Sequence, residues 1–594
     1  MPTTGGHMAE ALAQARLRGV LALAGALAGL ALWALVEVVP RVTENDRVIL
    51  ALATAAAAFF GPFLAMAGPL PVLRALGGAA ALAVPLTLLM TTASLRFDSA
   101  EGFVETGHPV VALMLAIAIP VPFLIAGLGR LGQWTDYAQL FGAAWATLVR
   151  GVAAGLFLGA FWALVFLSDT LLGLVGITVI EWLLDFDAVP ALLSGLVLGL
   201  GAAVAHELAD FVSPKLPIRL LQLLLPFALA VTALFLAALP FQGLEGLFGG
   251  LSVAATLMGM AFAAATLVTT AIDADDGAAV TSRVMRLSAQ ALSLMLPVLA
   301  LLAVYSVTER VSQYGWSPDR LAAITAAVVL AGYGITYAGA VLVQTEWMAR
   351  IRQANVIVAL GVLALGLAWI SPFLNAQQLA VTSQVSRYQQ GRVSAEGLDL
   401  WAIGREWGRP GVAALQDLEA LGTPGREVLR GRLEALAEAD SRYAFETAAP
   451  PEERLALMRA IRVATPVRPA GAVLPDGFFD TMGVSFMQMW RGACARQTPG
   501  GAPGCIAVVA ELSPASTGSE IIVFTMQSDR FVQVSAFDGR GVTVGRFGPT
   551  WLSGDHMATS DPALIDLVAS GAVDTGPAGL TALRLGDMEL VILP

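Results

Sequence analysis

The chain holds two cysteines, Cys494 and Cys505, which bracket a Pro- and Gly-rich loop, "CARQTPGGAPGC". Three chemistries use a thiol pair: half a zinc site, a redox dithiol, or a structural disulfide. Structural zinc takes four ligands, and the nearest histidine in sequence is the distant His556. The spacing is also wrong for C-x-x-C redox chemistry. A disulfide is the expected state, provided that the segment faces an oxidising compartment. Free thiols remain the alternative.

Other chemistry-bearing residues are sparse. "AHELADF" places His206, Glu207 and Asp210 together, and resembles half of the H-E-x-x-H zinc motif with its second histidine replaced. The plainer reading is a polar helix end. "AIDADDGAAVTSR" clusters Asp273, Asp275 and Asp276 but lacks the closing glutamate of a calcium loop, so it reads as a solvated turn. "AELSPASTGSEIIVF" offers Glu511 and Glu520 as its acids, too few for alternating carboxylate ligands. No catalytic residue, metal ligand or cofactor-binding residue is assigned, and the pattern points away from an enzyme. Arg150 and Glu181 are the ionisable residues expected at membrane depth, where pairing, a water-filled cavity or snorkelling would accommodate them. "TERVSQYGWSPDR" supplies Glu309, Arg310, Tyr314, Trp316, Asp319 and Arg320, either as a well-anchored turn or as a docking surface. Within it Ser317 is placed to cap a helix that has Pro318 in its first turn.

The elements that must position these residues belong mostly to lipid. Of 594 residues 57% are hydrophobic and only 13% are charged, and the mean hydropathy is +0.73. A soluble domain carries about 25% charged residues, so the side chains demand an apolar solvent and a lipid bilayer is the first partner. The net charge is −11, and without a basic stripe nucleic acid is not an expected partner. Lys215 is the single lysine, so an arginine here marks coding bias as readily as function.

A bilayer core needs about 20 apolar helical residues. Runs of that kind lie near 18–39, 47–67, 72–93, 108–128, 143–167, 188–207, 218–239, 250–272, 286–307, 319–342 and 354–374. A further stretch, 171–186, is short and contains Glu181; it reads as interfacial or re-entrant, with Trp182 at headgroup level. If it does not span, Arg16, Arg18, Arg74, Arg130, Lys215, Arg219, Arg283, Arg286, Arg350 and Arg352 share one side. Arg41, Arg47, Arg96, Arg310 and Arg320 share the other. The excess places the N-terminus in the cytoplasm and the C-terminus outside. The first apolar run is longer than a signal-peptide core, so it reads as an uncleaved anchor.

After Asn375 the pattern turns mixed and soluble. The expected organisation is a transmembrane bundle over 1–374, an extracytoplasmic helical segment over 375–465, and a small extracytoplasmic α+β domain over 466–594. "GREVLRGRLEALAEA" sets Val428, Leu429, Leu433 and Leu436 on one helical face. "CIAVVAEL", "SEIIVFTM", "RFVQVSAF" and "VTVGRF" read as strands of an antiparallel meander, with a D-G turn at Asp538–Gly539. "DPALIDLVAS" reads as a helix and "MELVILP" as a last strand. The fold class is therefore mostly α: a polytopic bundle of about eleven spans carrying a C-terminal α+β domain.

"RVSQYGWSPDR" and "EWMARIR", together with "SPFLNAQQLAVTSQVSRYQQGR" and "LWAIGREWGRPGVAALQDL", resemble the DUF4153 family of bacterial polytopic membrane proteins. The resemblance runs from about Arg130 onward. It implies an inner-membrane protein with a periplasmic C-terminal region, and it carries no established activity and no functional residue. Three functions fit these expectations. The first is a non-enzymatic envelope role with a partner-binding or sensing outer domain. The second is a transporter or channel with a polar cavity between spans. The third is an enzyme acting on lipid-linked substrates at the outer face.

Overall fold

A computed structural model describes residues 4–129, 133–208, 215–248, 253–420, 426–446, 451–480, 482–510, 519–528, 531–542, 561–571, 583–585 and 588–590. Two compact units divide it, Met1–Pro424 and Gly425–Pro594.

Among the described residues of the first unit, eleven helices are long and apolar enough to cross a bilayer: α1 (Leu12–Val42), α2 (Asp46–Met66), α3 (Val72–Ser94), α4 (His108–Gly129), α5 (Tyr137–Gly173), α6 (Ala188–Glu207), α7 (Lys215–Phe241), α8 (Val253–Ile272), α9 (Arg283–Tyr314), α10 (Pro318–Val343) and α11 (Trp347–Trp369). They coincide with the hydropathic runs of the sequence. Their apolar side chains stay uncovered: Leu73 is 82%, Phe227 69% and Leu164 63% exposed. Water would penalise that surface, whereas lipid tails do not, so the chain is an integral membrane protein.

The stretch between α5 and α6 does not span. Its one helix, Val179–Leu184, has six residues. At 1.5 Å per residue that covers about 9 Å, against a hydrocarbon core of about 30 Å. Glu181 and Trp182 are exposed on it.

Contacts sort the helix ends into two sets. At the first end Arg18 of α1 grips Glu207 of α6, Gly68 after α2 lies under His206, and Arg352 of α11 reaches Asp276 after α8. At the second end Arg47 of α2 donates to the carbonyl oxygens of Phe97 and Asp98 after α3. His108 of α4 lies 3.2 Å from Asp319 of α10, and Arg96 donates to the carbonyl of Ser371 after α11. Burial lowers the Arg96 guanidinium below its ordinary pKa. The two sets agree with strict alternation of eleven spans.

Close packing rests on small residues. Leu21, Gly25 and Gly29 of α1 run against Gly199, Gly195 and Ala191 of α6 in opposite directions. Gly334 of α10 sits on Pro297 of α9, where an added Cβ would come within 2.7 Å of the proline backbone. Around that contact Val268, Ile272, Leu292, Leu296, Tyr337 and Ile351 form a buried core.

The first unit extends past the last span. Helix α12 (Ala376–Gln389) and helix α13 (Gly408–Ala420) pack on the second end. Gln384 Nε2 donates to the carbonyls of Tyr314 and Trp316 at 2.8 and 2.9 Å. Arg409 donates its backbone N–H to Arg96 O at 2.8 Å and its side chain to Asp98 at 3.0 Å. The compact units therefore divide at Pro424, not at the hydropathy step near 374. Polar side chains bonding loop carbonyls carry no hydropathy signal.

The second unit begins with α14 (Arg426–Glu438) and α15 (Pro451–Ala464). Leu429 and Leu436 are buried as their helical spacing requires, while Val428 is exposed. Strands β1 (Val467–Arg468), β2 (Cys505–Ala510), β3 (Glu520–Ser528) and β4 (Phe531–Phe537) form one sheet in sequence order. β2, β3 and β4 are the expected antiparallel meander; β1 adds in parallel, so the sheet is mixed. Helix α16 (Val484–Cys494) closes one face with Phe478, Phe479 and Trp490. Helix α17 (Ala563–Ala569) contributes Ile565 and Val568 to the other face. A separate antiparallel pair joins β5 (Leu583–Leu585) to β6 (Met588–Leu590). Beyond Val542 the expected "VTVGRF" strand lies outside the described residues.

Candidate functional site

α5 puts a residue on the same face every fourth position. Ala138, Gly142, Ala146 and Arg150 line up in this way, and the row faces a cavity of about 320 Å³. Ile125 and Ala126 of α4, His206 of α6 and Pro69 add to the lining. Gln139 also lines it. The walls are small and apolar; the polar groups are Arg150, His206 and Gln139.

Arg150 is half-buried. Its Nε donates to Ala146 O at 3.0 Å, and Nη2 reaches Thr147 Oγ1 at 3.4 Å. Nη1 lies 3.3 Å from His206 Nδ1. A guanidinium has no acceptor, so His206 Nδ1 accepts, and the neutral ring carries its proton on Nε2. Glu207 pairs instead with Arg18, whose Nε lies 2.8 and 2.9 Å from its two oxygens. Among the described residues no carboxylate lies within ion-pair distance of Arg150. The ring of His206 is seated over Gly68, whose φ of +116° suits glycine and where a Cβ would stand 3.0 Å from the imidazole.

This arrangement settles the "AHELADF" residues as far as they are described. His206 and Glu207 are committed to two different arginines, and Asp210 lies outside the described residues. Among the described residues no group of three His, Cys, Asp or Glu side chains is placed to hold a metal. Asp275 caps its own turn through Gly277 and Ala278, and Asp276 pairs with Arg352 at 2.7 Å. Burial raises the Asp273 carboxyl above its ordinary pKa; Asp275 adds to this, while the Ala274 N–H and Arg352 oppose it. Glu520 is buried at the start of β3; Glu511 and His556 lie outside the described residues.

Glu181 is not among this cavity's lining residues. The loop at the second end behaves differently from a free turn. Trp316 donates its N–H to Ser383 Oγ at 3.2 Å, and Arg387 donates to Ser312 O and Gln313 O at 2.9 and 2.5 Å. Arg320 stacks on Tyr314 with 5.4 Å to the ring centroid and donates to Gly315 O at 2.9 Å. Ser317 caps α10. Glu309 holds Gln313, Arg310 is exposed, and Asp319 pairs with His108. What covers this loop is α12.

A second polar group was not singled out in the sequence. Tyr337 is fully buried, and its hydroxyl meets Thr269 Oγ1 at 2.8 Å and Asn355 Oδ1. Asn355 Nδ2 donates to Tyr137 Oη at 3.2 Å. Four spans thus meet in one network. The lone Asn in α11 was the sequence signal available.

In the second unit Cys494 and Cys505 form a disulfide. It joins the C-terminus of α16 to the first residue of β2, and Cys505 is fully buried.

Comparison of the chain with known protein families, with curated proteins and with solved structures finds no match.

Proposed function

We propose that the chain is a bacterial inner-membrane protein of the DUF4153 kind. In this reading the bundle anchors a partner-binding or sensing α+β unit on the periplasmic side, with a non-enzymatic envelope role. The observation that carries it is the Cys494–Cys505 disulfide in a unit that follows eleven spans. An odd number of crossings puts the chain after α11 opposite the N-terminus, and a disulfide belongs to an oxidising compartment. The arginine excess at the first end supports a cytoplasmic placement of that end. At the second end the docking of α12 on residues 312–316 gives the exit from the membrane a fixed seat.

Fusions of alkaline phosphatase and of GFP after Pro424 test the orientation. Phosphatase activity without fluorescence is expected. Fluorescence without phosphatase activity would reverse the orientation and remove the envelope role with it.

A second reading, transport, is favoured by Arg150, which lines a cavity between α4, α5 and α6. It predicts that Arg150→Gln abolishes solute movement in proteoliposomes while leaving the fold intact.

A further inference from the structure

Among the described residues the charge in the cavity on α5 has no ionic partner. The Arg150 guanidinium has five N–H groups. Three point at Ala146 O, His206 Nδ1 and, at long range, Thr147 Oγ1. The remaining N–H on Nη1 and on Nη2 have no acceptor among the described residues. A half-buried cation beside lipid is costly, and an anion supplied from outside offsets that cost.

The other polar groups of the cavity also carry N–H donors. His206, with Nδ1 accepting from Arg150, carries its proton on Nε2, beside Gly68. Gln139 presents an amide. Among the described residues no acidic side chain lines the cavity. A neighbouring hollow of about 500 Å³ lies against the same Pro69 and is lined by Arg16, so the positive character extends along this end of the bundle. Space is available too: a Cβ added at Gly142 would meet nothing within 4 Å. The row of Ala138, Gly142 and Ala146 leaves an apolar trough leading to the charged group. The cavity also lies at the first end of the bundle, where helix termini and headgroups share one level.

We infer that the Arg150–His206–Gln139 cavity binds a phosphate oxyanion, carried by an anionic phospholipid headgroup or by a soluble phosphate. Donors of three kinds line one cavity, Arg150 and Gln139 from α5 and His206 from α6, which suits an anion with several oxygens. Arginine is also the side chain best matched to phosphate, through paired N–H donors. The apolar trough suits the glycerol and first methylenes of a lipid.

The full-length protein purified in dodecyl maltoside tests this. Its thermal unfolding midpoint is followed while phosphatidylglycerol, phosphatidylcholine or inorganic phosphate is titrated. Arg150→Gln removes the charge. Gly142→Leu fills the trough and leaves the charge in place, and it carries the test alone if the arginine variant fails to fold. The wild type is expected to rise with phosphatidylglycerol and not with phosphatidylcholine, and both variants to need roughly tenfold or more of it for the same rise. A rise with inorganic phosphate that both variants lose, with no response to phosphatidylglycerol, supports the site and assigns it to a soluble phosphate. The inference is overturned if the wild type responds to neither anion, if it answers both lipids equally, or if its variants titrate as it does.

Discussion

Gly25 of α1 and Gly195 of α6 meet backbone to backbone: a Cβ built on Gly25 would stand 2.1 Å from Gly195 O, and one built on Gly195 would stand 2.0 Å from Gly25 O. The same two helices touch again at Gly29 with Ala191 and at Leu21 with Gly199. As one index rises the other falls, so α1 and α6 are antiparallel. That relation fixes more than a contact. With five spans from α1 to α5, α6 opposes α1 only when residues 171–186 do not cross. Backbones this close gain dispersion contacts that lipid cannot supply, which is how spans associate where the hydrophobic effect between helices is absent.

Gly195→Val should therefore push the two helices apart. Overpacking costs about 1–3 kcal/mol in ordinary cores and more where the obstacle is backbone. The thermal midpoint in detergent is expected to fall by several degrees. Gly155→Val, at a position with nothing within 4 Å, is the control and should leave it unchanged.

The disulfide predicts a redox-dependent second unit. Closing a loop of sequence separation 11 stabilises a domain by roughly 3 kcal/mol in the chain-entropy model. The double variant Cys494→Ser, Cys505→Ser should lower the stability of the second unit by that order and its unfolding midpoint with it, and a strong reductant should do the same to the wild type. Calorimetry on the full chain should show the first unit's transition unmoved.

At the second end, α12 is held by side chains donating to loop carbonyls, and Gln384 is 7% exposed. Gln384→Ala with Arg387→Ala removes the four donated bonds to residues 312–316. Each bond from a charged group contributes about 1.5–3 kcal/mol, and a neutral one about 0.5–1.5. Hydrogen exchange over 376–389 should speed up by at least tenfold while exchange within α9 and α10 stays slow. Uniform exchange across all three helices would contradict the docking.

What the sequence made legible follows from the period and length of its apolar runs. Each span had to supply about 20 apolar residues, so all eleven could be placed, and the shortness of 171–186, its Glu181 and the loop charges together read it as interfacial or re-entrant. Cys494 and Cys505 were readable because no other pairing was available. Contacts between distant segments were not readable. Arg150 and His206 are 56 positions apart, and "AHELADF" offered a metal motif in place of a cation's acceptor. The Tyr314–Arg320 loop showed its turn chemistry, since Ser317 and Pro318 are local signals. The carbonyls that Gln384 and Arg387 use carry no residue identity at all. The division at Pro424 was hidden for the same reason: α12 and α13 have the composition of soluble helices although they pack on the bundle.

The network around Tyr337 is the place where a single atom should matter most. Its hydroxyl joins Thr269 Oγ1 and Asn355 Oδ1, and Asn355 in turn takes Tyr137 Oη as acceptor. With Tyr337 fully buried, no water can replace the lost oxygen. Tyr337→Phe keeps the ring that packs in the core of α8, α9 and α10, and leaves Thr269 and Asn355 each short of a partner. An orphaned buried polar group costs about 1–3 kcal/mol, so the variant should lose stability although it loses one atom. Asn355→Leu should cost a similar amount, because Tyr337 keeps Thr269 but loses its acceptor on Asn355, and Tyr137 loses the donor from Asn355. The double variant should be less destabilised than the sum, because the second change removes a group that the first had already left unpaired. A denaturant series in detergent on the four proteins measures that coupling. Strict additivity would mean that the two side chains do not share a hydrogen bond in the folded protein.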